Sequence, residues 1–68
     1  MTQVFKDKNI IVHVDIAKPN TQDFSALIVS RKNFDGTISI LDIEMTEEKN
    51  EEVLENQAHS LLTKYKEN

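Results

Sequence analysis

Residues 10–16, IIVHVDI, alternate: Ile10, Val12, Val14 and Ile16 fall on one side, Ile11, His13 and Asp15 on the other. A period of two marks a half-buried strand, and the β-branched content favours one further. The pattern predicts a strand over 10–17. A shorter one over about 3–6, around Val4 and Phe5, turns back through Asp7-Lys8-Asn9. Lys18-Pro19-Asn20-Thr21-Gln22 then breaks the ladder, since proline has no N–H to give and Asn and Thr suit a turn.

The next strand is expected over 23–32, with Phe24, Ala26 and Ile28 on one face and Leu27, Val29 and Arg31 on the other. Asn33-Phe34-Asp35-Gly36 holds the chain's only glycine where a reversal is needed. Asp-Gly between two strand patterns is a strong hairpin signal, because glycine takes positive φ without steric cost. A further strand over 37–45 changes parity midway: Ile38 and Ile40 share one face, Leu41, Ile43 and Met45 the other. Two accounts fit that switch, a bulge that re-aims the strand or partial burial of both faces.

From Val53 the period becomes helical. Leu54, Ala58, Leu61, Leu62 and Tyr65 form one stripe with Val53 at its margin. Thr46 offers an N-cap ahead of Glu47 and Glu48, although Lys49 stands where a capping box would have Glu or Gln. A helix over 47–66 follows, with Lys64 and Lys66 near its end to complement the dipole. The assembled expectation is α+β: a small antiparallel β-meander of three or four strands with one C-terminal α-helix packed across one face, in a single domain, 1–68.

Size adds a constraint. A chain of 68 residues without cysteine has no disulfide or thiolate metal site to supplement a small core. One helix covers one face of a sheet. Ile11, His13, Leu27 and Val29 are therefore expected at the other, with Ile28 and part of the Leu41, Ile43 and Met45 set as further candidates. A second copy of the chain would bury them as a homodimer; the alternative is that this face is left to water.

Charge points elsewhere. The formal net charge is −4, but residues 42–55, DIEMTEEKNEEVLE, hold seven of the twelve acidic side chains and one lysine. Such a balance disfavours nucleic acid, whose binding relies on Lys and Arg displacing phosphate counterions. A basic protein surface is the better electrostatic partner. On a helical wheel Glu48, Glu52, Glu55 and His59 follow one flank, while Asp42 and Glu44 project from the preceding strand. These six are the candidate protein-binding residues. Glu47, Glu48 and Glu51 are partly accounted for by the helix dipole, and Glu51 falls toward the core side of the wheel. Arg31-Lys32 with Phe34 is a weaker candidate for contact with phosphate or a base at a hairpin tip.

Catalytic chemistry is poorly supplied. His13 and Asp15 form an H-x-D pair and Glu55 and His59 an i,i+4 pair, but the two histidines are expected on different sides of the molecule. No serine carries a nucleophile-elbow motif, and one glycine cannot make a phosphate-cradling loop. No catalytic, cofactor or metal residue is assigned, and no enzyme is expected. The start of the chain lacks a basic stretch followed by an apolar core, so neither signal peptide nor membrane span is expected, and a cytoplasmic location is the default. The richness in Ile, Lys, Asn and Glu suits an AT-rich genome, such as a low-GC bacterium or its phage. The functional expectation is a small interaction module, of the regulator or phage-inhibitor kind, presenting its acidic surface to a basic protein. The alternative is a homo-oligomeric module that binds a peptide or small ligand at the exposed sheet face or subunit junction.

Overall fold

A computed structural model of the protein describes residues 1–66. Four strands, β1 (Thr2–Asp7), β2 (Ile10–Asp15), β3 (Ser25–Lys32) and β4 (Ile38–Thr46), precede one helix, α1 (Glu51–Lys66). The strands form one antiparallel sheet in the order β1-β2-β3-β4, and the helix lies across one face. The α+β meander expected from the sequence is the fold, with four strands.

The alternation of β2 sets the core. Ile10, Val12, Val14 and Ile16 are buried and face the helix, together with Leu27 and Val29 of β3. Leu54, Ala58, Leu61 and Leu62 close the core from above. Phe5, Leu41 and Tyr65 pack around its margin. The helix rests mainly on β2 and β1 and only lightly on β3; its backbone does not reach β4.

The parity switch in β4 resolves as a bulge. Val29 pairs with Asp42 and Ser30 with Ile40, so Leu41 and Asp42 together oppose a single step of β3. The extra residue re-aims the strand. Ile38, Ile40, Ile43 and Met45, which simple alternation divides between two faces, all end on the side away from the helix.

The turns use specific chemistry. Gly36 has φ +90°, and its N–H donates to the Asn33 carbonyl at 3.0 Å. The Asp35 carboxylate accepts from the Thr37 hydroxyl at 2.6 Å and from its N–H at 3.0 Å. Those bonds, the hydroxyl's first, hold the Asp35 carboxyl below the usual carboxylate range. The β1–β2 turn is different: Lys8 takes φ +54° although it is not glycine.

The helix begins later than predicted. Thr46 does act as a local cap, accepting the Glu48 N–H at 3.1 Å, but the bend it closes is not helical. Asn50 is the N-cap: its side-chain oxygen accepts from the N–H groups of Glu52 at 2.9 Å and Val53 at 3.2 Å. Glu51 and Glu52 occupy the first turn, and Lys64 and Lys66 the last.

Candidate functional site: an uncovered sheet face and two charged poles

The face of the sheet opposite the helix has no cover. Its rows follow from the register. Val4, His13, Ile28 and Ile43 make the central row; Thr2, Asp15, Ala26 and Met45 lie on one side of it; Lys6, Ile11, Ser30 and Ile40 on the other. Ile38 extends the apolar surface beside Lys32. Val4, Ile38, Ile40, Ile43 and Met45 each leave more than half of their surface in water. The apolar positions gather on β3 and β4, and the polar ones on β1 and β2.

Two of the four residues expected there are not on it. Ile11 and His13 do lie on the open face, but Leu27 and Val29 are 1% and 0% exposed beneath the helix. Their blurred alternation hid which face is covered. Val12 pairs with Val29 and Val14 with Leu27, so the β2 pattern carries both into the core. Ile28, Ile43 and Met45, the further candidates, do lie on the open face, whereas Ile38 and Ile40 were missed because only the bulge brings them to the same side as Ile43 and Met45.

The acidic residues do not form one ridge. Glu52, Glu55 and His59 remain on the helix, but Glu48 lies before it, with its carboxylate accepting the Lys49 and Asn50 N–H groups. Asp42 and Glu44 are on the helix side of β4, because they pair with the core residues Val29 and Leu27. They occupy the opposite flank of α1 from His59, whose ring meets Phe5 of β1 edge-on at 5.2 Å. The Glu55 carboxylate is 3.9 Å from His59. Glu51, which the wheel turns inward, accepts a hydrogen bond from the Gln3 side chain at 2.6 Å and thereby ties the helix start to β1.

Between α1 and β4 runs an open groove of about 430 Å³, lined by Glu44, Val53, Asn56, Gln57, Ser60 and Leu61. One helical turn beyond Leu61, Tyr65 donates its hydroxyl to Asp42 at 3.1 Å. That bond, with burial and the charges of Asp42 and Glu44, raises the tyrosine above its ordinary pKa.

Charge is sorted by the topology into two poles. At one end lie Asp15, Asp23, Glu47, Glu48, Glu51 and Glu52, against Lys18 and Lys49. At the other, among the described residues, lie Lys6, Lys8, Arg31, Lys32, Lys64 and Lys66, against Asp7 and Asp35. The sequence spreads the basic residues over three regions, and the meander brings six of the eight Lys and Arg side chains to one end. Phe34 stands fully exposed at that end. Among the described residues no helix is long and apolar enough to cross a membrane. No family model, no curated protein and no solved structure matches this chain.

Proposed function

We propose that the protein is a small, non-enzymatic interaction module that works as a homodimer through its open sheet face. The observation that carries this reading is the continuous row of Ile38, Ile40, Ile43 and Met45, all more than half exposed beside Ile28. With Val4 of the same face, these four make five half-exposed aliphatic chains, an apolar area on the order of 300 Å² at ~25 cal/mol per Å² and ~2–3 kcal/mol per buried chain. That is the scale of the largest apolar patch on a typical monomer, which is often a contact site. Four strands ~4.8 Å apart, read over six to nine residues at ~3.3 Å, give a face of the same order as the ~800 Å² each partner contributes to a standard interface.

A second copy fits by charge as well as by area. A two-fold axis across the strands, through the central row, lays the row of Thr2 and Asp15 on the row of Lys6 and Ile11 of the other copy. Acidic pole then meets basic pole, and Asp15 comes within reach of the mate's Lys6. The β4 edge is a poorer docking surface, since its bulge and the charges of Asp42 and Glu44 are features that discourage edge pairing.

Sedimentation equilibrium at micromolar concentration, on the native chain and two variants, tests the reading. The native chain should dimerise. Lys6→Asp should weaken association several-fold, and Lys6→Asp with Asp15→Lys should restore it, because a two-fold dimer regains both pairs. A native chain that stays monomeric at high micromolar concentration would sink the proposal.

A further inference from the structure

The basic pole contains a concavity on the helix side of the sheet, away from the open face. Lys8, Asn9, Ile10, Arg31, Tyr65 and Lys66 enclose about 140 Å³ between the β1–β2 turn, the end of β3 and the last turn of α1. Three of the six lining residues are cations, drawn from three separate elements. We propose that this pocket binds the phosphate group of a small phosphomonoester.

Volume limits the ligand. About 140 Å³ corresponds to four or five waters at ~30 Å³ each, so one tetrahedral oxyanion fits and a whole nucleotide does not. The rest of the ligand must lie outside, and the Tyr65 side chain supplies an apolar surface beside the cations for it to rest on. Recognition matches the chemistry: a planar guanidinium can bond two phosphate oxygens at once, and lysines add point charges. The surrounding pole strengthens the field, since Lys6, Lys32 and Lys64 lie at the same end.

Two features oppose an anion here. The carboxylate of Asp7 holds Lys66 at 3.0 Å, and the helix presents its negative end to the pole. Lys8 and Arg31 have no carboxylate among the ion pairs of the described residues, so two cations remain beyond the lysine that Asp7 neutralises. Backbone geometry agrees. Lys8 keeps φ +54°, a conformation that glycine or asparagine would adopt more readily, so the chain carries a cation at a site where turn chemistry alone selects another residue. A small anion is favoured over a nucleic acid because the chain's net charge of −4 and its acidic opposite pole repel a long polyanion.

The test is a titration followed by amide and side-chain NMR at fixed ionic strength, with inorganic phosphate, adenosine monophosphate and chloride as separate arms. Saturable shifts confined to Lys8, Asn9, Ile10, Arg31 and Lys66 are expected with both phosphates and not with chloride. Tighter binding of the nucleotide identifies a ligand with a planar body; equal binding identifies the phosphate group alone. Lys8→Gln with Arg31→Gln should weaken phosphate tenfold or more, whereas Lys18→Gln with Lys49→Gln, at the acidic pole, should leave it unchanged. Each variant is checked for native amide dispersion. Shifts that rise linearly at all lysines, or affinity unmoved by the Lys8 and Arg31 changes, would overturn the proposal. The pocket stands apart from the open sheet face, so a monomeric protein could still bind phosphate and a dimer could fail to.

Discussion

Ile28 and Ile43 stand directly opposite each other on the uncovered face, while one residue before Ile28, Leu27 is buried beneath the helix. This contrast separates two roles for neighbouring aliphatic residues. Ile43→Glu should abolish the proposed dimer and leave the monomer folded, because that residue is 59% exposed and contributes little to the core. Leu27→Ala should instead cost about 2–5 kcal/mol of stability, the range for a buried Leu truncated in a packed core. Urea denaturation combined with sedimentation distinguishes them. Equal loss of stability from both substitutions would contradict the division of faces.

Helix initiation gives a second expectation. Asn50 accepts two backbone N–H groups at the true helix start, whereas Thr46 accepts one in the preceding bend. Asn50→Ala should lower stability by about 0.5–2 kcal/mol, with a smaller loss for Thr46→Ala. Thermal or urea unfolding of the two variants, measured side by side, checks the order.

Thr46 also shows why the helix start was not legible. Followed by two glutamates, it has the composition of a helix beginning, and Asn50 four positions later has the same capping chemistry. Choosing between them needs the place where Leu54 meets the sheet, which is tertiary information. The covered face of β2 was legible because four branched residues alternate without interruption there. The β3 faces were not: Ala26, Leu27, Ile28 and Val29 are all apolar, and only pairing with Val12 and Val14 decides which side is core. The open apolar face was legible in outline, since one helix cannot cover two faces, but its membership depended on the bulge at Leu41 and Asp42. The two poles were hidden for a simpler reason. Lys8, Arg31 and Lys66 are far apart in sequence, and only strand direction brings them together.

At Lys8 local strain and binding are expected to trade against each other. A non-glycine residue at φ +54° carries a steric cost that glycine avoids. Lys8→Gly is therefore expected to raise stability by up to about 1 kcal/mol, although glycine at an ordinary strand or helix position costs a similar amount. The same change removes a cation from the basic pocket. Chemical denaturation with and without phosphate should show the variant more stable alone and less stabilised by the ligand. A loss of stability without phosphate would show that the turn does not strain the lysine.

Tyr65 links the helix end to β4 through Asp42, and the link depends on the protonation of the phenol. The hydrogen bond to the carboxylate requires the neutral hydroxyl, which raises the folded-state pKa above the ordinary tyrosine value. A raised folded pKa means the contribution is fully present below the unfolded tyrosine's pKa of about 10 and is lost as pH climbs through the folded value. The native protein should thus lose stability in strongly alkaline solution, relative to Tyr65→Phe. Because the chain has a single tyrosine, phenolate absorbance reports this group directly. Its titration in the folded protein should lie above that of the urea-unfolded chain, and Asp42→Asn should draw it back down. A folded-state titration at or below the unfolded one would show that the bond to Asp42 does not hold in solution.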